Sequence, residues 1–284
     1  MRALGLLVLV AGLLLVTALA SPWVAWGVTA LAGHRFTFGR VYNRVFEVLL
    51  VLALPIAWRR LDLGGPAAIG FRRADWARQL GRGFAAGLAG IASALVLCAM
   101  LGALDPALRF PPAKTARKAA LGTGAAVLVG VGEEALFRGV LLRRLSRDFG
   151  TAAGVAVTTG VYAAVHAIGK GQKEQSFDAW SGMRRTASLF APVVQRHAVP
   201  ELVGLALLGL LLAAARLRSG SLWLPIGVHA AWVGVFRVGR LFVEIHDTPV
   251  WLVGPGWPPL IGGAAGWVGV AVSALALFAV GRRR

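Results

Sequence analysis

Long apolar segments recur along the whole 284-residue chain and restrict what it can fold into. A transmembrane helix needs about 20 consecutive apolar residues, and several of the segments approach that length. The mean hydropathy of +0.71 is well above that of a soluble domain. The segments cover residues 3–20, 46–58, 83–104, 119–131, 151–168, 202–215, 222–236 and 259–280. We therefore expect an all-α fold, a polytopic transmembrane bundle of about eight helices.

The first apolar segment fits two descriptions. Arg2 precedes an apolar stretch that ends in Thr17-Ala18-Leu19-Ala20, which is typical of a secretory signal with its cleavage site. The other description is an uncleaved first transmembrane helix. We favour the uncleaved helix because the segment is long for a signal sequence and the chain stays apolar after Ala20.

The formal net charge of +18 points to a membrane surface. In a soluble protein such a charge would suggest nucleic acid, but here the cations lie almost entirely in the connections between apolar segments, where they suit anionic lipid headgroups. We expect membrane lipids as partners, no nucleic acid, and a multi-pass protein of the plasma or inner membrane. The single cysteine, Cys98, excludes an intramolecular disulfide and a cysteine-based metal cluster.

Two connections are predicted to form helices on the membrane surface. Residues 61–83 are basic and contain Trp76. In residues 169–200, apolar side chains recur at spacings of three or four, as in an amphipathic interfacial helix or a gate over a substrate entrance. These side chains are Phe177, Trp180, Met183, Ala187 and Phe190.

Acidic residues within apolar sequence are the clearest functional signal. An ionised carboxylate in hydrocarbon costs roughly 2.5 kcal/mol or more, yet Glu133 and Glu134 end one of the apolar segments, and Arg138 follows four residues after Glu134. Glu47 is also embedded, but Arg44 lies one turn before it and indicates an interfacial ion pair. The adjacent glutamates are therefore the candidates for chemistry.

Two histidines, His166 and His229, also lie in apolar segments. Residues spaced four apart share a helix face, so Glu134 and Arg138 are predicted to pair, while Glu133 points about 100° away. Tyr162 lies one turn before His166. Since buried polar groups need polar partners, we expect Glu133, His166 and His229 to line one cavity.

A carboxylate with two imidazoles suits two chemistries. The carboxylate can act as general base on a water molecule, with one histidine assisting and the other facing an oxyanion. Alternatively, Glu133, His166 and His229 match the ligand set of a catalytic zinc ion. The spacing of the residues does not choose between the two.

At these positions the sequence resembles the CAAX-processing and bacteriocin-processing family of intramembrane proteases, also called CPBP or Abi. Its motif E-E-x-x-x-R matches residues 133–138, and an aromatic residue four before histidine matches Tyr162 and His166. A histidine after a Leu-Trp-x-Pro-rich stretch matches residues 221–229. The resemblance covers about 119–236, read as a four-helix catalytic core between N-terminal helices (1–118) and a C-terminal connection with the last helix (237–284).

The resemblance implies that Glu133 activates water together with His166, that His229 faces the oxyanion, and that Glu134 and Arg138 support the site. It also implies a metal-free endopeptidase, with zinc as the alternative, acting on a membrane-associated or transmembrane protein or peptide. One departure is Val233, where the family often has asparagine. This leaves as an alternative a catalytically idle family member that acts as a binding or immunity protein. The buried charged residues leave a second and less favoured alternative, a proton-coupled transporter.

Overall fold

The computed structural model describes residues 2–33, 36–60, 64–167, 176–191, 199–246, 249–255 and 260–279. They are predominantly helical, which confirms the predicted all-α class. The helices are α1 (Arg2–Ala32), α2 (Phe38–Arg60), α3 (Pro66–Ile69), α4 (Trp76–Met100), α5 (Pro112–Glu134), α6 (Leu142–Phe149), α7 (Thr151–Ala167), α8 (Ser181–Phe190), α9 (Val199–Ser219), α10 (Trp223–Val238), α11 (Val250–Val253) and α12 (Ala264–Ala279). A π-helical segment, Ala135–Leu141, joins α5 to α6, and a 3₁₀ turn, Gly239–Leu241, follows α10.

A small sheet, not foreseen from the sequence, joins two connections. Strand β1 (Leu104–Pro106) pairs antiparallel with β2 (Val243–Ile245), with Asp105 opposite Glu244. The strands follow α4 and α10, which pack against each other. The packing of these two helices therefore brings their connections together, although they are far apart in sequence.

Three described helices are long and apolar enough to cross a bilayer: α1 over Val8–Leu31, α4 and α9. The prediction of about eight spans counted apolar segments, and several of those segments lie on shorter helices. Helix α7 has 17 residues, and α10 and α12 have 16 each. Helices α2 and α5 reach 23 residues, but both contain several charged side chains. Length and charge together thus explain the smaller number.

The chain forms two compact units, Met1–Gly64 with His166–Gln195, and Gly65–Val165 with Arg196–Arg284. In the first unit, α1 packs against α2 and α8. The Phe38 and Phe177 rings stack with centroids 5.3 Å apart. A hydrogen bond of 2.6 Å joins the hydroxyls of Tyr42 and Thr186. These contacts fix α8 against the first two helices.

Helix α8 forms part of the predicted amphipathic stretch. It carries Met183 and Phe190, which remain substantially exposed, as does Trp180 just before it. An exposed apolar face is typical of a helix that lies on a membrane. Residues 169–175 and 192–198 of the predicted stretch lie outside the described residues.

Helix α10 is the centre of the second unit, packing on α4, α5 and α9. Glycines allow its backbone to approach that of α4. A β-carbon at Gly83 would lie 2.1 Å from the carbonyl oxygen of Leu224, and one at Gly227 would lie 2.3 Å from that of Leu80. No side chain fits at either position, so the two glycines set how closely the helices cross. The site described next is built on α10.

Candidate active site

The two adjacent glutamates end α5, and Arg138 lies in the π-helical segment that follows. A π-helical turn widens the helix locally, and such turns are frequent at functional sites. The sequence predicted an ordinary helix here, since no residue pattern in the segment distinguishes the two forms. The widened turn lies between the glutamates and the rest of the helix.

Glu134 and Arg138 form the ion pair predicted from their spacing. The Arg138 guanidinium donates to Glu134 Oε1 at 2.8 Å, and both side chains are fully buried. A second Arg138 nitrogen donates to the carbonyl oxygen of Gly209 on α9 at 3.1 Å. The guanidinium carbon also lies 4.5 Å from the centre of the Tyr162 ring on α7. Through Arg138, the ion pair therefore connects the end of α5 to α9 and α7.

Glu134 has a further contact that the sequence did not indicate. Its Oε1 lies 2.8 Å from Nδ1 of His229, which is buried on α10. An ionised carboxylate only accepts hydrogen bonds, so the hydrogen lies on Nδ1. This leaves Nε2 directed to the other side of the ring, where Glu133 Oε2 lies at 3.7 Å. Glu134 thus orients the His229 ring towards Glu133.

Tyr162 packs against several members of the site. Its ring is fully buried and meets the Phe137 ring edge-on at a centroid distance of 5.3 Å. It meets the His229 ring in the same geometry at 6.2 Å. A β-carbon at Gly209 would lie 3.2 Å from Tyr162 Cδ1. The aromatic residue predicted one turn before His166 therefore contributes to the wall of the site.

The structure brings Glu133, His166 and His229 together. One ligand atom of each lies within 4.8 Å of those of the other two. His166 lies on the last turn of α7, the helix that also carries Tyr162. The Glu133 side chain is 29% exposed, whereas that of His229 is 2% exposed. The cluster thus has a buried side, at His229, and an accessible side, at Glu133.

These distances suit a shared water molecule. A water about 2.8 Å from two groups bridges separations of up to about 5 Å. Tetrahedral zinc ligands, with bonds of about 2.1 Å, lie about 3.4 Å apart. The donor set of one carboxylate and two imidazoles fits zinc chemically, but a separation of up to 4.8 Å would have to shorten. The three side chains are therefore spaced for a shared water molecule, and the same set could hold a metal ion at shorter separations.

Val233 lies one turn after His229 on α10 and is half-buried. Its side chain carries no hydrogen-bond donor. The departure from the family pattern noted in the sequence is thus located beside the site. A hydrogen bond to an oxyanion formed at this site would therefore have to come from a residue other than Val233.

Residues 115–235 match the family described as type II CAAX prenyl endopeptidase Rce1-like. The matched region contains all five predicted site residues: Glu133, Glu134, Arg138, His166 and His229. Comparisons with curated proteins and with solved structures give no match. The predicted resemblance to CAAX-processing proteases is confirmed by this family match.

Proposed function

We propose that the chain is an intramembrane endopeptidase whose Glu133 activates water, from the premise that residues 115–235 match the Rce1-like family of type II CAAX prenyl endopeptidases. The observation that carries the proposal is the convergence of Glu133, His166 and His229 within 4.8 Å. Ionisable groups gathered in an apolar helix bundle are costly unless they serve one another or a reaction.

In the proposed reaction, Glu133 and His166 hold a water molecule between them. Glu133 takes a proton from the water while the oxygen of the water attacks the carbonyl carbon of the substrate. This attack forms a tetrahedral oxyanion. The carbon–nitrogen bond then breaks, and Glu133 gives the proton to the leaving amine. Atoms and charge balance, and Glu133 returns to its starting form.

His229 would act on the oxyanion through Nε2. Because Nδ1 holds its hydrogen against Glu134 at 2.8 Å, Nε2 has a hydrogen to donate only when the ring is protonated. The Glu134 carboxylate holds the ring in this orientation from a fully buried position. The role implied by the family resemblance thus requires a charged His229. Glu134 would then position His229 in addition to forming its ion pair with Arg138.

A zinc-dependent reaction uses the same residues. Glu133, His166 and His229 would hold the ion, and the ion would supply Lewis acidity to a bound water. We propose the metal-free form because the ligand atoms stand at water-bridging distances. A purified protein with one tightly bound zinc per chain, inactive after chelation and restored by zinc alone, would reverse this assignment.

The test is cleavage of a membrane-anchored peptide library by the purified protein in detergent. We expect Glu133→Gln to lower the rate at least about 100-fold, the lower range for loss of a general base, with unchanged folding. Glu47→Gln is the matched control, because Glu47 is also an acid in apolar sequence but is exposed and paired with Arg44. Equal rates in both variants and the parent would contradict a role for Glu133.

Val233 supports a second candidate, an idle family member that binds a membrane partner without cleaving it. In that case neither the parent chain nor any variant cuts the library, and Glu133→Gln leaves partner binding intact. The proposed substrates are membrane-associated or transmembrane proteins or peptides, tested in lipidated and unlipidated forms. We also propose a multi-pass protein of the plasma or inner membrane.

A further inference from the structure

A basic pocket lies in the second unit, formed by the start of α5 and the end of α10. Its volume is 470 Å³, within the usual range for ligand sites. Four cationic side chains line it: Arg109, Lys118, Arg237 and Arg240. We call this the basic pocket. Nothing in the proposed hydrolysis uses it.

Tertiary structure assembles the basic pocket from distant parts of the chain. The backbone N–H of Arg109 donates to the carbonyl oxygen of Leu241 at 3.3 Å, which continues the pairing of β1 with β2. On the opposite wall, a β-carbon at Gly122 would lie 3.3 Å from Val238. The close packing of α5 on α10 thus places Lys118 beside Arg237, while strand pairing places Arg109 beside Arg240.

Lys118 and Arg237 supply the charge that the basic pocket can offer to a ligand. Glu244 lies 3.6 Å from Arg109 and neutralises one cation. Among the described residues, neither Lys118 nor Arg237 has a carboxylate within ion-pair distance. Lys118 instead lies over the Phe110 ring, with its nitrogen 4.8 Å from the ring centre. Like charges held together repel one another, so the pocket is suited to an anion.

The surroundings of the pocket are apolar, which indicates an anion attached to a lipid. Leu121 lines the pocket and is 67% exposed, and Leu128, seven residues further along α5, is 75% exposed. Residues seven apart lie on the same helix face, about 10 Å apart along the axis. The two leucines form an exposed apolar stripe that leads from the pocket along α5, the helix whose last turn carries Glu133.

We propose that the basic pocket binds the phosphate group of an anionic phospholipid, with an acyl chain along the stripe of Leu121 and Leu128. Basic pockets between membrane helices are suited to such headgroups. The lipid would hold the start of α5 against the end of α10. Those are the two helices that carry Glu133 and His229.

Native mass spectrometry of the full chain, titrated with phosphatidylglycerol or phosphatidylcholine, tests the proposal. We expect phosphatidylglycerol to bind more tightly. The double variant Lys118→Gln/Arg237→Gln should weaken its binding about 30-fold, the effect of two interfacial cations. The matched control Arg117→Gln/Arg147→Gln removes the same charge from exposed positions outside the pocket and should change binding less than about threefold.

Three results would overturn the proposal: equal binding of the two lipids, an equal loss in the control variant, or full displacement of phosphatidylglycerol by an equal concentration of inorganic phosphate. The last result would mean that the pocket takes a free anion and that the acyl chain contributes nothing. Lipid binding is measured without any substrate. A failure of the proposed hydrolysis would therefore leave this test unaffected, and the reverse also holds.

Discussion

Arg138 connects three helices through one guanidinium group. It binds Glu134 on α5 and the Gly209 carbonyl on α9, and it lies over Tyr162 on α7. Because Glu134 also orients His229, the position of the histidine depends indirectly on the arginine. The fully buried Arg138 thus influences the position of His229 through Glu134.

We expect Arg138→Ala to lower the free energy of unfolding by about 3–5 kcal/mol, because it leaves the Glu134 carboxylate buried without its cation. Detergent-based denaturation followed by intrinsic fluorescence measures this. The control is Arg78→Ala, which breaks an ion pair with Asp75 of the same 2.8 Å length but with both side chains more than half exposed. An exposed pair contributes at most about 1 kcal/mol. Similar losses in the two variants would contradict the buried role of Arg138.

At the scale of elements, the crossing of α4 and α10 depends on where small residues lie. A β-carbon at Gly227 would overlap the α4 backbone at Leu80, 2.3 Å away, whereas one at Gly124 on α5 meets nothing within 4 Å. Both positions are helical, so alanine is intrinsically favoured at both by about 1 kcal/mol. The difference in stability between the two alanine variants therefore measures the effect of the contact between α4 and α10.

Gly227→Ala should destabilise the protein by about 1–3 kcal/mol, the usual cost of overpacking a core. Gly124→Ala should be neutral or stabilising by up to about 1 kcal/mol. Thermal unfolding in detergent compares the two. Because Gly227 lies two residues before His229, Gly227→Ala should also slow cleavage. A stable Gly227→Ala protein with full activity would contradict the close crossing of α4 and α10.

At the scale of the whole molecule, Cys98 reports on folding. It is the only cysteine in the chain, and it is fully buried on α4. A thiol reagent should therefore label the folded protein only through opening of the second unit, at a rate that rises as stability falls. We expect slow labelling in the parent and faster labelling in Arg138→Ala and Gly227→Ala, followed by mass spectrometry. Fast labelling of the parent would show that α4 is not packed as described.

The sequence determined what depends on composition and on neighbours along the chain. Apolar segments predict helices, because a bilayer leaves few other ways to satisfy the backbone. The Glu134–Arg138 pair follows from a spacing of four on one helix. The motif residues also predicted the family, which the match over residues 115–235 confirms.

Tertiary structure decided what depends on distance in space. His229 is 95 residues from Glu134, yet the packing of α10 on α5 joins them at 2.8 Å. Arg109 reaches Leu241, and hence the basic pocket, only through the pairing of two short strands. The number of helices able to span a bilayer also depended on where each helix begins and ends. Hydrophobic burial is non-directional, so the apolar pattern of the sequence does not specify which helices meet. Close backbone approach at Gly83 and Gly227 sets the crossing of α4 and α10.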